Sequence, residues 1–191
     1  MPDAPRGALS RQDGMKALDQ AAAQAVTQGQ SLAVLVLDLD HFKIYQDGAG
    51  PAAAQAVLDQ LTGILGASLP ADASLTHLSG DAYFVALLGA DIAAAQGLAE
   101  QLREAVATGL AGVVAQPPLT VTIGVATSPA DKSWTASALL SLADARMTFA
   151  KRRLMSHHNL VWAGSLPSDW YARLDIDPTR WPVLEDASPV T

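Results

Sequence analysis

The chain has 191 residues, half of them apolar, a formal net charge of −7 at pH 7 and no cysteine. This length is enough for one hydrophobic core of ordinary size, whereas two domains of half the length would each be marginal. The absence of cysteine excludes disulfides, thiolate metal sites and cysteine nucleophiles.

The acidic balance argues against a broad nucleic-acid-binding surface, because such surfaces need clustered Lys and Arg. The basic stretch Lys151 to His158 is too short to reverse this. No apolar run approaches the roughly 20 residues of a membrane-spanning helix, and the start, MPDAPRGALSRQDG, lacks the regions of a signal peptide. We therefore expect a cytoplasmic protein that binds neither nucleic acid nor membrane.

The first half of the chain predicts a helix, a buried strand, a second helix and a hairpin. Apolar residues recur at helical spacing from Ser10 to Val26, and Gly29 is a stop signal. SLAVLVLDLD, residues 31–40, is apolar up to its carboxylates, which is typical of a central strand buried on both faces. Pro51 to Leu65 predicts a helix with proline in its first turn, and LTHLSGDAYFVALL, residues 75–88, predicts a hairpin.

The second half predicts four more elements in alternation. They are a helix capped by Asp91 and running to about Val106, a strand over PLTVTIGVAT (118–127), a helix capped by Ser133 or Thr135 and running to about Leu154, and a short strand over NLVW (159–162). Because the central hairpin forbids an all-parallel sheet, we predict an α/β sandwich in which helices flank a mixed central β-sheet.

The composition changes at Ala163. The last segment holds four of the eleven prolines and two of the four tryptophans, so we predict a domain over residues 1–162 and a C-terminal tail over residues 163–191. The tail is expected to pack on the domain through Trp170, Tyr171 and Trp181, since aromatic side chains bury large areas. The alternative is a docking segment for a protein partner.

Three aspartates are expected at one edge of the sheet. Asp38 and Asp40 close the predicted central strand, and Asp81 lies in the tip of the hairpin. Converging carboxylates repel each other, and a hard divalent cation with oxygen ligands relieves the repulsion, leaving Lys43 and Lys151 to face phosphate oxygens. The alternative is structural: Asp40 caps the following helical segment and Asp81 satisfies a turn.

Several blocks of the sequence follow one another in the order and at the spacing of one known family. DAPRGALSR (3–11) is similar to D-x-L-T-G-L-x-N-R, and DLDHFKIYQDGAG (38–50) to D-x-D-x-F-K-x-x-N-D-x-x-G. VTIGVA (121–126) and LADARMTFAK (142–151) match a later strand and a helix that ends in A-K. The chain thus resembles the GGDEF domains of diguanylate cyclases from residue 3 to residue 162, which implies a nucleotidyl-cyclase-like fold. The signature position is occupied by Ser79, Gly80, Asp81, Ala82 and Tyr83.

The resemblance implies a role for individual residues. Asp38 and Asp81 correspond to metal ligands, and Ala82 stands where the family has a glutamate associated with catalysis. A methyl group can neither bind a metal nor move a proton, so no catalytic residue is assigned. The remaining positions correspond to a vestigial nucleotide site: Phe42, Lys43, Gln46, Gln55 and Lys151.

The two guanine-binding positions of the family are changed. They are an Asn and an Asp, here Gln46 and Gln55, and a carboxamide cannot offer the two acceptors that a carboxylate offers. A guanine donor left unpaired costs about 1–3 kcal/mol. The family's product-inhibition motif R-x-x-D reads PADA (70–73), and its late Arg reads Met155 or His158, so we expect no cyclic di-GMP binding through R-x-x-D and a weakened triphosphate site.

The leading hypothesis is a catalytically inactive GGDEF-like domain that acts as a regulatory or protein-interaction module, with another protein or a second copy as its partner. No cofactor is required, Mg²⁺ binding is at most weak, and no sensor domain is expected before it. The alternative is a metal-dependent nucleotide-binding or weakly phosphohydrolytic domain with changed base specificity, since a Gln amide can pair with an adenine edge.

His157 and His158 are adjacent and diverge, so a joint metal site there is not expected.

Overall fold

The computed structural model describes residues 7–113, 117–131, 133–153 and 158–184. Its strands are β1 (Leu32–Leu39), β2 (Ser74–Ser79), β3 (Ala82–Leu88), β4 (Val121–Thr127) and β5 (Val161–Trp162). Its helices are α1 (Arg11–Gln28), α2 (Phe42–Ala49), α3 (Pro51–Ser68), α4 (Ile92–Gly109), α5 (Ala136–Arg153) and α6 (Ser168–Leu174), followed by a 3₁₀ turn at Pro178–Arg180.

The strands form one mixed sheet in the order β2-β3-β1-β4-β5. β1 lies in the middle and pairs antiparallel with both β3 and β4, while β5 joins β4 in parallel. Residues 32–37 of β1 are fully buried, as expected for a strand covered on both faces. The predicted mixed α/β sandwich is confirmed, and so is the central position of this strand.

Alternate side chains of β1 enter two separate cores. Leu35 and Leu37 pack with α3 and α4, whereas Val34 and Val36 pack with α1 and α5. On the second face α5 lies directly on β4, because a Cβ on Gly124 would stand 2.1 Å from the Ala143 carbonyl oxygen. This close approach fixes the position of α5 over the sheet edge that carries the aspartates.

The helix ends follow the expected chemistry. The Ser10 hydroxyl accepts from the Asp13 amide at 3.1 Å to begin α1, and Gly29 ends that helix with φ +67°. Asp91 caps α4 as predicted. For α5 the structure selects Thr135, whose hydroxyl accepts from the Ala138 amide at 3.1 Å.

The tail packs on the domain over residues 163–184. Tyr171 and Trp181 are 4% and 6% exposed and belong to the core that contains α5, and the ring of Trp170 meets Phe149 at 5.6 Å. The buried Arg146 guanidinium joins the two parts, donating to the Val125 carbonyl at 2.7 Å and to the Pro182 carbonyl at 3.0 Å. The expected packing is confirmed for this part of the tail.

Across the described ranges, no helix combines the length and the apolar character that crossing a bilayer requires.

Candidate functional site

The candidate site lies at the sheet edge where β1 ends and β3 and β4 begin. In the ladders, Asp38 is the partner of Ala82 on one side and of Thr122 on the other. Asp81 immediately precedes Ala82 in a two-residue hairpin loop, which begins at Gly80 with φ +54°. The topology therefore brings Asp38 and Asp81 together, as the sequence predicts.

Asp40 is a structural residue at this edge. Its carboxylate is fully buried and accepts from the hydroxyls of Thr120 and Thr122 at 2.8 and 2.9 Å and from the Asn159 amide at 2.8 Å. It therefore joins the end of β1 to β4 and to the segment before β5. The alternative that Asp40 caps α2 is wrong, because His41 holds the cap position and makes no side-chain cap bond there.

Lys151, near the end of α5, neutralises this edge. Its ammonium donates to the Asp38 carboxylate and to the Leu39 carbonyl, the latter at 3.1 Å, and lies 3.4 Å from the Asp40 carboxylate. The sequence predicts that this amine faces phosphate oxygens. Here it supplies the positive charge that a divalent cation would otherwise provide.

The described residues do not form a complete metal site. No group of three or more His, Asp or Glu side chains within them is arranged to hold a metal ion. Asp40 already accepts three hydrogen bonds and Asp38 is paired with Lys151, so these residues fit a resident Mg²⁺ poorly. A cation at Asp38 and Asp81 would have to compete with the lysine and take most of its ligands from water or phosphate.

Two carboxyl groups near Asp38 have altered acidity. Burial, followed by the charge of Asp38, raises the pKa of Asp81 to about 6. The same two causes, in the same order, raise the pKa of Asp144 on α5. Sequence reasoning missed Asp144, although its position seven residues before Lys151 places both on one helix face and was a usable signal.

The other predicted nucleotide positions are on α2 and α3, and the contacts described for them are with other residues than Asp38 and Asp81. The Phe42 side chain is 6% exposed and belongs to the core. Lys43 is 85% exposed and pairs with Asp47 at 3.4 Å across one turn of α2. Gln46 is exposed on α2, and Gln55 is exposed on α3, where its amide donates to Asp59 at 3.0 Å.

The signature also contains a core residue. Tyr83 is fully buried, with its hydroxyl 3.0 Å from that of Thr62, and burial raises its pKa.

Beside Asp40, the rings of His41 and His158 meet edge to face at 4.3 Å, and burial, then the charge of His158, lowers the pKa of His41. The sequence positions Asp3, Met155 and His157 lie outside the described residues.

The chain matches a known family over most of its length. The family described as "Diguanylate cyclase, GGDEF domain" matches residues 9–157. An uncharacterized signaling protein of Caulobacter vibrioides is 32% identical over 147 residues, which are 76% of this chain and 18% of that protein. The bifunctional diguanylate cyclase/cyclic di-GMP phosphodiesterase MucR of Pseudomonas aeruginosa is 30% identical over 134 residues, 70% of this chain and 19% of MucR. The chain thus spans about a fifth of the length of these relatives.

Solved structures share the fold. The GGDEF domain of DgcB from Caulobacter crescentus, in complex with c-di-GMP, superposes with a TM-score of 0.74 at 21% identity, over 83% of this chain and 92% of that one. Diguanylate cyclase SiaD of Pseudomonas aeruginosa, in complex with its activator SiaC, gives 0.72 at 25% identity, over 80% of this chain and 58% of SiaD. The family match, the curated relatives and the shared fold lead to one conclusion: this chain belongs to the GGDEF domain family of diguanylate cyclases.

Proposed function

We propose that this chain is a GGDEF domain that does not synthesise cyclic di-GMP and acts in the cytoplasm as a regulatory or protein-interaction module. The observation that carries the proposal is Ala82. This residue is the ladder partner of Asp38 and follows Asp81, at the place where the resemblance implies a catalytic glutamate. Its methyl group leaves Asp38 and Asp81 without a further carboxylate at that position.

The base-recognition positions support the same proposal. Gln46 and Gln55 stand where the family has an Asn and an Asp, and the Gln55 amide is already directed to Asp59. A guanine bound there would leave one of its donors unpaired, at a cost of about 1–3 kcal/mol. Weak recognition of the base and a missing acid are independent obstacles to synthesis.

The charges at the sheet edge also support a structural role for the remaining acids. Lys151 pairs with Asp38, and Asp40 satisfies two hydroxyls and a backbone amide. These bonds hold α5, β1 and β4 together without any nucleotide.

For a module without synthetic activity, a protein partner or a second copy of the chain is the proposed ligand. SiaD, a structural relative, was solved in complex with its activator SiaC. On the present chain the large apolar side chain of Ile44 is 60% exposed on α2, the helix that also carries Gln46. We propose that this face of α2 belongs to the contact surface.

Calorimetry tests the proposal directly. GTP, ATP and cyclic di-GMP are titrated into the full chain, each with and without Mg²⁺. The proposal predicts no preference for GTP over ATP and no tight cyclic di-GMP complex. Magnesium-dependent GTP binding that is at least tenfold tighter than ATP binding would contradict it.

A second candidate is a metal-dependent nucleotide-binding or weakly phosphohydrolytic domain with changed base specificity, with ATP as the first choice. It is favoured by the retained pair Asp38 and Asp81, whose negative charges repel each other. A cation bound by these carboxylates and by the phosphates of a nucleotide would relieve that repulsion. Phosphate release from ATP with Mg²⁺ is the test, with Asp81→Asn as the matched control. Equal release by both proteins would remove this candidate.

A further inference from the structure

A cleft of about 540 Å³ lies between the signature hairpin, α1, α5 and α6. Its volume falls in the range of about 300–1,000 Å³ that is typical of small-molecule sites. Leu78 and Ser79 of the hairpin form one wall, and Leu174 of α6 belongs to the opposite one. The cleft therefore joins the part of the chain that matches the family, residues 9–157, to a helix beyond it.

Three arginines from three different helices line this cleft. They are Arg11 of α1, Arg152 of α5 and Arg173 of α6. In a chain with a net charge of −7, this is a local concentration of positive charge. Among the described residues that line the cleft, Asp144 is the acidic one. Asp169 lies outside the lining and pairs with Arg173 at 2.8 Å.

The contacts described for these arginines leave part of each guanidinium available to a ligand. The Arg152 guanidinium stacks over the Trp170 ring, with its central carbon 5.8 Å from the ring centre. A stacked guanidinium keeps its in-plane N–H groups free for a bidentate bond to phosphate. Arg11 stands in the first turn of α1, where a positive charge opposes the helix dipole, so helix stability does not explain it.

The rest of the lining has two chemical characters. Leu78, Leu140 and Leu174 provide apolar surface, while the hydroxyls of Ser79, Ser141 and Thr148 lie among them. Apolar surface suits the face of a flat ring, and hydroxyls suit a sugar or a phosphate oxygen. A ligand with phosphates at one end and a planar base at the other matches both characters and the arginines.

The tail holds the α6 wall in place. Tyr171 of α6 is 4% exposed, and its hydroxyl accepts from the Leu166 amide at 3.1 Å. Arg146 binds the Pro182 carbonyl from α5, so α6 is anchored on both sides. The cleft is therefore preformed, which limits the conformational entropy that the protein loses when a ligand binds.

We propose that this cleft binds a nucleotide, with Arg11, Arg152 and Arg173 contacting its phosphates. The inference goes beyond the proposed function and does not rest on it, because these arginines take no part in the argument about cyclic di-GMP synthesis. A chain that cannot synthesise the product can still bind a nucleotide here, and failure of either proposal leaves the other standing.

The test is calorimetry on the full chain at low ionic strength with ADP, GDP, pyrophosphate and adenosine as probes. We expect ADP or GDP to bind more tightly than pyrophosphate, and adenosine not to bind. Arg11→Gln and Arg173→Gln should each weaken binding by about tenfold, as expected for the loss of charge-assisted hydrogen bonds. Lys16→Gln, which removes a positive charge from α1 outside the cleft, is the control and should bind like the wild type.

Three results would overturn the proposal. The first is no saturable heat with ADP, GDP or pyrophosphate at millimolar concentration. The second is binding that Arg11→Gln and Arg173→Gln leave unchanged. The third is binding that is lost in Lys43→Gln and kept in Arg173→Gln, which would place the nucleotide at the signature site instead.

Discussion

Asp38 and Ala82 are direct partners across the antiparallel ladder of β1 and β3. The pairing places a methyl group beside a carboxylate that is paired with Lys151. The β1–β3 ladder stays in register up to this pair, whereas the β2–β3 ladder shifts its register between His77 and Ser79. The proposed absence of synthetic activity rests on the side chains at this edge.

Restoring the acid alone is not expected to restore synthesis. In Ala82→Glu a second carboxylate faces Asp38, but Gln46 and Gln55 still cannot pair with guanine. We predict no cyclic di-GMP from this variant with GTP and Mn²⁺, measured by chromatography over several hours. Product above the level of the wild-type protein would show that base recognition is not the limiting defect.

The acidity of Asp81 predicts a stability that depends on pH. Its pKa is about 6 in the folded protein and near 3.8 without burial and Asp38, so the folded state holds the proton more tightly than the unfolded chain. Above pH 6 the ionised group therefore destabilises the fold, by about 1–2 kcal/mol once solvent screening at this partly exposed site is allowed for, and below about pH 4 it has no effect. Asp81→Asn should raise the melting temperature at pH 8, and the gain should disappear between pH 6 and pH 4.

Asp131→Asn is the matched control, because folding lowers the pKa of Asp131 whereas it raises that of Asp81. The hydrogen bond from Arg180 lowers the pKa of Asp131, so its contribution is favourable at neutral pH and is lost as the pH falls through the folded-state pKa. This variant should lower the melting temperature at pH 8 or leave it unchanged. A gain for Asp81→Asn that is the same at pH 4 and pH 8 would contradict the assigned electrostatics.

The tail is predicted to stabilise the domain. Cutting after Trp162 removes Tyr171 and Trp181 from the core that contains α5 and takes the Pro182 carbonyl from Arg146. Loss of each large aromatic contact costs about 3 kcal/mol or more, and the buried guanidinium loses a partner. The truncated protein should melt several degrees lower, and Trp181→Ala should show part of the same loss. A truncated protein that melts within a degree of the full chain would contradict this.

The contact between β4 and α5 can be tested at two glycines. A Cβ at Gly124 would stand 2.1 Å from the Ala143 carbonyl and 2.3 Å from the Met147 amide nitrogen, so Gly124→Ala should force the helix off the sheet. We expect a loss of about 1–3 kcal/mol or more in urea unfolding. Gly97→Ala, in α4 with nothing within 4 Å, should instead gain about 0.4–1 kcal/mol. Equal effects of the two substitutions would contradict the packing.

Local patterns in the sequence were enough to predict most elements of the fold. The apolar run of β1, the caps at Ser10 and Asp91 and the turn at Gly80 each act within a few residues, so they are visible without a structure. The side chains that bind Asp40 come from Thr120 and Thr122, 80 and 82 residues away. No local pattern reveals such partners, which is why the sequence offered helix capping as the structural alternative for Asp40 and not the bonds to β4.

The tail and the cleft also depend on contacts between distant parts of the chain, which the sequence does not reveal. Aromatic and proline content predicted that the tail packs, but it did not show that the packing places Trp170 beside Arg152. Arg146 carries a charge and would be assigned to an exposed helix face, yet it is fully buried between β4 and the tail. Its two carbonyl partners become visible only once the chain is folded.

The central claim is tested most directly by incubating the purified full chain with GTP and either Mg²⁺ or Mn²⁺ and separating the products by chromatography. An active diguanylate cyclase in the same buffer serves as the positive control. We predict no cyclic di-GMP above a protein-free blank. Cyclic di-GMP that accumulates with time and with protein concentration would contradict the proposal.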